Sequence, residues 1–469
     1  MAGVSRGSLW ARLSDGSALF RPVDASSVAA FRVGLGLLLA IGMLRFLLEG
    51  WVHVLFVEPS FFFRYYGFAW VPVPPEPVLY GLYGFLCLLG LAFSAGFHFR
   101  IVAILLFLGF SWVELIDVTN YLNHYYLVSL FLLLSIFLPL GSTWSLDARR
   151  RPHRDRETIP AWVLYLLRFQ VGVVYIFAGF AKLGSDWLLF AQPLGIWLAA
   201  RDEMPLIGSL FATSWAPFLV SWAGFAFDTT IVFFLSWRRT RPLAFLAVVV
   251  FHVGTHLLFD IGLFPFLMPL AATLFFAPDW PRRFLERFHA GGREVTASGA
   301  TSEAGWTTRR RLLAVPIAAY VILQLVLPLR SVLYAGDVLW HEQGMRWSWK
   351  VMVREKNGSI VYRVRNPQSG REWQVGPMRY LTWRQANEMT GQPDLILQLA
   401  HHIADDFRES GRGPVEVRVD ALVSLNGRPA ARLIDPDADL SQIEDGIVPA
   451  SWILPRDDVP PFEPARERS

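Results

Sequence analysis

The sequence of 469 residues contains a single cysteine, Cys87, which lies inside an apolar run. One cysteine can form neither an intramolecular disulfide nor a cysteine-based metal site. The chain also lacks a Walker A loop, GxGxxG and GxSxG patterns and zinc-finger spacing. The sequence therefore gives no indication of nucleotide binding or serine-hydrolase chemistry.

Charged residues are also scarce: they make up 17% of the chain, and the formal net charge is only +4. The arginines cluster in short polar segments, so we do not expect nucleic-acid binding. Hydrophobic residues make up 54%, with 19 tryptophans, and the mean hydropathy is +0.37. This composition is typical of a polytopic membrane protein and excludes a soluble enzyme with a large core.

Apolar segments predict about nine membrane spans, of which the fourth and the eighth are short. A bilayer core is about 30 Å thick, which a helix of about 20 residues can cross. The segments lack period-2 alternation, which favours helices over a β-barrel. The predicted spans are 27–48, 77–97, 99–118, 124–140, 161–182, 215–236, 242–259, 261–277 and 312–334.

The arginine clusters predict the orientation of this bundle. With residues 1–26 in the cytoplasm and no cleaved signal peptide, every cluster of the membrane half falls on the cytoplasmic side. The bundle then occupies 27–335, and the polar, basic segment 278–311 is a cytoplasmic linker that we expect to be partly disordered. The C-terminal part follows an odd number of spans, so we expect it on the periplasmic or extracellular side.

The C-terminal part changes character and predicts a small extracytoplasmic α+β domain over 336–434. Segments 345–354, 359–365 and 372–375 alternate, with Asn357-Gly358 as a hairpin signal, and a second hairpin is expected through Asn426-Gly427. Residues 383–407 predict an amphipathic helix. An acidic and proline-rich tail is expected over 435–469.

Lys182 is the only lysine before Lys350, and it ends a predicted span. Such a lysine can be a desolvated general base or an anchor that extends to the membrane surface, and its position alone favours neither. Asp186 could neutralise it as an ion pair. The carboxylate of Asp228, inside another span, is a further candidate that is usually paired or cavity-lining.

Two groups of polar residues fall in other spans. Asn120 and His124 would share a face with Asn123 if that segment were helical, and together they could orient an oxyanion or quinol hydroxyl. The alternative is a polar helix cap. His252 and His256 are four residues apart, which suits a cavity lining or interhelical hydrogen bonds better than a metal site.

Four blocks in order give the chain a resemblance to a known family: YLNHYYL, FAGFAKLGSDWL, VVFHVGTHLLFDIGLFPF followed by FFAPDWPRR, and WSWKVMV. This combination resembles the vitamin K-dependent gamma-glutamyl carboxylase family, whose membrane part is the HTTM domain. The resemblance covers about residues 20–355 and continues weakly through the helix after Trp383.

The resemblance implies a reaction with vitamin K hydroquinone, either phylloquinol or menaquinol, and with O2 and CO2 as co-substrates and no metal. Lys182 would deprotonate the hydroquinone, which O2 converts through a strongly basic species to the 2,3-epoxide. That base removes a γ-proton from a glutamate of a protein or peptide, and CO2 adds. His124 and His252 are the other implied catalytic residues, whereas His256 receives no role.

The same resemblance implies the binding residues. Those expected around the quinone in the membrane are Asn123, Asn120, Asp186, Trp187, Ile261, Gly262, Phe264 and Phe266. Those expected at the glutamyl substrate are Trp347, Trp349 and Arg354.

Three departures from the animal enzymes leave rival functions open. The animal enzymes have a disulfide and a longer lumenal region, and a histidine stands where this chain has Arg354. The rivals are a quinol epoxidase without carboxylation and a non-enzymatic membrane transporter or scaffold. The abundance of arginine and alanine suggests a bacterial protein.

Overall fold

A computed structural model describes residues 16–152, 157–259, 261–288 and 306–461. Seven of its helices are long and apolar enough to cross a membrane, and two shorter apolar helices accompany them. The two short helices coincide with the short fourth and eighth predicted spans. The chain is therefore a multi-pass membrane protein with a helical bundle, as its sequence predicts. The nine helices are α1 (Ser26–Leu48), α2 (Glu76–Ala95), α3 (Phe99–Ile116), α4 (Asn123–Phe137), α5 (Ala161–Ala181), α6 (Ala216–Ser236), α7 (Arg241–Leu258), α8 (Phe264–Ala272) and α9 (Thr308–Leu329).

Proline and glycine mark the ends of these helices. Helices α2, α6, α7 and α8 have proline in their first two positions, where a missing N–H breaks no intrahelical bond. Helix α2 ends at Gly96, whose φ of 65° is left-handed. Short helices lie before, between and after the spans, at Ser17–Phe20, Trp51–Phe56, Leu146–Arg150, Ser185–Leu188, Leu194–Ala199, Gly208–Phe211, Trp280–Glu286 and Val338–His341.

Two glycines let α1 and α2 pack with their backbones in contact. A Cβ on Gly36 would lie 2.6 Å from the Gly90 carbonyl oxygen, and one on Gly90 would lie 2.9 Å from the Ala40 nitrogen. Small residues are the usual means of close helix packing in lipid, where the hydrophobic effect does not hold helices together. Buried Arg32, on the same helix α1, donates hydrogen bonds to the carbonyls of Ser94 and Leu140.

The C-terminal domain is an antiparallel sheet covered by two helices. Its strands are β3 (Lys356–Arg365), β4 (Glu372–Val375), β5 (Glu416–Leu425) and β6 (Ala431–Arg432), in the order β4-β3-β5-β6. A separate pair, β1 (Pro22–Asp24) and β2 (Thr158–Pro160), joins the start of α1 to the start of α5. Helices α10 (Trp383–Thr390) and α11 (Pro393–Glu409) replace the single helix expected over 383–407, because the chain breaks at Gly391 and Gln392 before a proline.

The structure corrects one hairpin and confirms the other. Asn357 and Gly358 lie inside β3 and pair with Ser424 and Val423, so they form no turn. The Asn426-Gly427 turn is present, with φ of 50° and 77°. The alternating segment 345–354 is not a strand but an irregular loop.

Residues 435–461 remain on the C-terminal domain. Leu440 is fully buried in its core, and Ile434 forms a bridge with Ile453. The rest of the expected tail, 462–469, lies outside the described residues, as do residues 1–15 and the linker segment 289–305.

We predict that Gly36→Ala lowers the thermal midpoint of the detergent-purified protein. The added methyl group would overlap the backbone of α2, and overpacking of this kind typically costs about 1–3 kcal/mol. Gly84→Ala is the matched control, because a Cβ at Gly84 meets nothing within 4 Å. Equal midpoints for the two variants would contradict the close contact.

Candidate active site

Lys182 follows the last residue of α5 and forms an ion pair with Asp228 of α6. Its Nζ lies 2.8 Å from Asp228 Oδ2, and the two side chains are only 6% and 7% exposed. The Nζ also donates hydrogen bonds to the carbonyls of Ala178, at 3.2 Å, and Val351, at 3.4 Å. Lys182 is therefore a buried, paired amine, not an anchor at the membrane surface.

A cavity of about 240 Å³ opens beside this pair. Lys182 and Asp228 line it together with the hydroxyl-bearing Tyr175 and with His252. Nearly all of its remaining wall is apolar and comes from α5 to α8, from the short helices between α5 and α6, and from the loop 345–354. Those apolar residues include Val174, Trp187, Leu194, Val220, Phe251, Leu258, Phe259, Ile261, Phe264, Val351 and Met352. Apolar walls with a few convergent polar groups are typical of a small-molecule site.

His252 faces this cavity from α7 and is 1% exposed. Its Nε2 is 3.0 Å from the Tyr175 hydroxyl. Its Nδ1 is buried and has no hydrogen-bond partner in the part of the chain that the structure describes. Because a buried polar nitrogen without a partner is costly, Nδ1 is a candidate contact for a polar group of a ligand. His256 is exposed on the same helix, and Asp260 lies outside the described residues.

His124, at the start of α4, lies behind the cavity wall. Its Nε2 is buried and unpartnered among the described residues, and a Cβ on Gly262 would be 3.3 Å from it. The Phe264 ring lies 5.9 Å from the His124 ring and 5.4 Å from the His252 ring. Phe264 therefore stands between the two histidines, and His124 does not line the cavity.

The other residues expected around the quinone fall into two groups. Trp187 and Ile261 line the cavity with Phe264, and the Trp187 ring centroid is 5.0 Å from Lys182 Nζ. Asp186 and Phe266 do not line it, and Phe266 is 49% exposed.

Asn120 and Asn123 lie at the contact with the C-terminal domain. Asn120 ends a 3-10 turn and His124 belongs to α4, so they do not share one helix. Asn120 accepts a hydrogen bond of 2.6 Å from Arg384, and Asn123 accepts one of 3.0 Å from the Tyr121 hydroxyl. Sequence spacing could not show this break, because the turn depends on contacts with the distant helix α10.

The loop 345–354 contributes residues of the C-terminal region to the wall of the Lys182 cavity. Trp347, Trp349 and Met352 have φ of 60°, 58° and 54°, which is uncommon for residues other than glycine. Trp349 is buried and stacks on Tyr126 at 4.9 Å. Trp347 stacks on Tyr65 at 5.9 Å. These rings fix the loop, so that Val351 and Met352 reach the Lys182 cavity.

A second cavity, of about 250 Å³, shares the wall residue Met352 with the first. Among its lining residues are four with cationic side chains: Arg346, Lys350, Arg354 and Arg384.

Two of these four are paired with carboxylates. Arg354 pairs with Glu342 and Arg346 with Asp394. Lys350 has no hydrogen-bond or ion-pair partner in the described ranges, and Arg384 bonds only to Asn120 and the Thr119 carbonyl. Glu342 and Glu388 also line this cavity, so its charges are mixed, and Lys350 and Arg384 are the two cations in its wall that no described carboxylate pairs.

Asp186 holds the loop after Lys182 against the C-terminal domain. Both of its oxygens accept hydrogen bonds from Arg428, at 2.5 and 2.6 Å, and Oδ2 also accepts one from Asn426 at 2.9 Å. Asn426 also binds the Val353 carbonyl and the Glu355 amide, at 3.2 and 2.8 Å. Asp186 therefore binds residues of the C-terminal domain, and the ion-pair partner of Lys182 is Asp228.

Sequence reasoning named Asp228 but not its partner, and it missed Lys350 and Arg384. The scarcity of lysine was a usable signal for Lys350. No local signal singles out Arg384 among the many arginines of the chain.

His401 and His402, on α11, serve packing. His401 Nε2 contacts the carbonyl oxygens of Leu440 and Ile443, at 3.0 and 2.8 Å. The His402 ring lies 4.5 Å from that of Phe61. Among the described residues there is no group of three or more histidine, cysteine, aspartate or glutamate side chains that could hold a metal ion.

Two family models match the chain. The HTTM domain matches residues 20–280, and the vitamin K-dependent gamma-carboxylase, lumenal domain, matches residues 309–459. The first match covers helices α1 to α8, and the second covers α9 and the C-terminal domain. No solved structure matches the chain.

We predict that Lys182→Met destabilises the protein by about 3–5 kcal/mol, because it leaves the Asp228 carboxylate buried without a counter-charge. The double variant Lys182→Met/Asp228→Leu is the control, since apolar replacement of a whole buried pair is often neutral or stabilising. Thermal or denaturant unfolding in detergent measures both. A single variant as stable as the wild type would contradict the buried ion pair.

Proposed function

Because the chain belongs to the vitamin K-dependent gamma-glutamyl carboxylase family, we propose that it couples epoxidation of vitamin K hydroquinone to gamma-carboxylation of glutamate in a protein or peptide. O2 and CO2 would be the co-substrates. The observation that carries the proposal is an apolar cavity with a buried lysine beside a cavity with unpaired cations. The first suits a lipid-soluble phenol, and the second suits a carboxylate.

The residues of the first cavity fit a reduced naphthoquinone. Aromatic and aliphatic side chains would pack against its rings, whereas Lys182 Nζ and the unpartnered His252 Nδ1 offer contacts for its hydroxyl groups. When bound, the hydroquinone supplies the reducing equivalents and, after reaction with O2, the strong base that glutamate chemistry needs. Phylloquinol and menaquinol share these features.

Lys182 would act as the base at one hydroxyl of the hydroquinone. A phenol has a pKa of about 10, close to that of lysine, so proton transfer between them needs little driving force. His252 would bind a ligand oxygen through Nδ1 while Tyr175 fixes its ring. His124 would act at the quinol oxygen if Phe264 and Gly262 move aside, with Asn123 at the start of the same helix.

Lys350, Arg354 and Arg384 would bind the glutamyl substrate in the second cavity. An ammonium and a guanidinium without carboxylate partners can pair with a γ-carboxylate by charge-assisted hydrogen bonds. Trp347 and Trp349 would support this site by holding the loop that separates the two cavities. Since Met352 borders both cavities, a glutamate there would lie next to the hydroquinone.

We further propose that the C-terminal domain and both cavities lie on the extracytoplasmic side. The arginine clusters place the start of α1 in the cytoplasm, and the nine helices then carry the chain to the other side. Lys182 and Asn120 both contact the C-terminal domain, so the two cavities lie at its end of the bundle. A secreted substrate would reach this face.

The direct test supplies purified protein with vitamin K hydroquinone, O2, labelled CO2 and a glutamate-containing peptide. We expect both epoxide and labelled peptide. Epoxide without label would leave the quinol epoxidase without carboxylation. The ion pair between Arg354 and Glu342 favours this rival, because it already occupies the Arg354 guanidinium. Neither product would favour the transporter or scaffold.

We predict that His252→Ala lowers epoxide formation by about a hundredfold or more, the usual effect of removing a group that acts at the reacting atoms. His256→Ala is the matched control on the same helix, because His256 is exposed and does not line the cavity. Epoxide yield by chromatography measures both variants. Equal activity in both would contradict the placement of the hydroquinone beside His252.

We predict that the KM for the peptide begins to rise at a lower pH than it would if a lysine with an ordinary pKa bound the substrate. Burial lowers the pKa of Lys350, so its positive charge is present below that lowered pKa and is lost as the pH rises through it. Lys350→Arg keeps its charge and should give a flat KM from neutral to alkaline pH. A pH-independent KM in the wild type would show that Lys350 does not bind the carboxylate.

A further inference from the structure

The pairing of Lys182 with Asp228 limits how Lys182 can accept a proton from a ligand. In the ion-pair form of Lys182 and Asp228, the lysine nitrogen already carries its full complement of three protons. An ammonium has no lone pair and cannot accept a second proton. A base that works through Lys182 therefore needs another acceptor for the proton.

The alternative is a neutral lysine beside an ionised Asp228. That state leaves a lone carboxylate in a cavity with apolar walls, which is strongly disfavoured. In the described structure Asp228 has no hydrogen-bond donor other than Lys182 to stabilise it. Arg428 pairs with Asp186 and does not pair with Asp228.

We propose that Asp228 is the final acceptor of the hydroquinone proton and that Lys182 relays it. This inference rests on the proposed function. Lys182 takes the proton of the hydroxyl while one of its own protons passes to Asp228 Oδ2. The hydroxyl O–H bond breaks and its electron pair stays on oxygen, an N–H bond of Lys182 is broken and replaced, and a new O–H bond forms on Asp228.

The charge of the cavity is balanced throughout this relay. Before transfer the Lys182 ammonium faces the Asp228 carboxylate, and after it the same ammonium faces the oxygen anion of the ligand. Asp228 is then a neutral carboxylic acid. The buried cation is never without a counter-ion, so the transfer leaves no uncompensated charge in the apolar site.

Infrared difference spectra of the full-length, detergent-purified protein test the relay without turnover. In anaerobic buffer, vitamin K hydroquinone should produce the carbonyl stretch of a protonated carboxylic acid. Oxidised vitamin K, which has no hydroxyl proton, is the matched control and should produce none. Asp228→Asn should lack the band. Bound hydroquinone without the band in the wild type, or a band that persists in Asp228→Asn, would overturn the proposal.

Activity separates this proposal from the proposed function. Asp228→Asn should form epoxide at least about a hundredfold more slowly than the wild type, as expected for loss of a proton acceptor. Wild-type epoxidation together with an undiminished rate in Asp228→Asn would refute the relay and leave the proposed function intact. No epoxide from the wild type would refute the proposed function itself. If Asp228→Asn does not fold, the wild-type spectra still decide.

Discussion

A lysine ammonium and an aspartate carboxylate lie 2.8 Å apart between α5 and α6, and the two side chains are only 6% and 7% exposed. Neither charge would be tolerable there alone. The pair joins two helices that are separated along the chain by residues 182–215, a segment of short helices and loops. It also holds the amine of Lys182, the only lysine in the described part of the bundle, at the edge of an apolar cavity.

The C-terminal domain completes this arrangement from outside the bundle. Asn426 and Arg428 fix Asp186, and the loop 345–354 delivers a carbonyl to Lys182 and two side chains to the cavity wall. On the other flank, Arg384 and Gln385 bind Asn120 and Asp117 at the end of α3. Burial raises the pKa of Asp117, and its hydrogen bonds with Thr119 and Gln385 oppose that shift.

The sequence predicted the membrane bundle well because hydrocarbon requires long apolar helices, and a lone lysine at the end of one of them is conspicuous. It predicted the Asn426-Gly427 turn but not the fate of Asn357-Gly358, because pairing with β5 keeps β3 extended through those residues. Local alternation in 345–354 gave no sign of three left-handed residues. The partner of Lys182 was also beyond local patterns, since Asp186 is closer in sequence and Asp228 is closer in space. Such pairings depend on how distant helices pack.

The shared wall at Met352 has a consequence for how this protein can be divided. The two matched regions meet between α8 and α9, where a biochemist would choose to cut the chain. Yet a bundle that ends there would lack Val351 and Met352, so its cavity would open to solvent, and Lys182 would lose a hydrogen-bond acceptor. The two regions match separate family models, but residues from both of them form the wall of the Lys182 cavity. Chimeras between relatives should therefore exchange the loop 345–354 together with the membrane half that it completes.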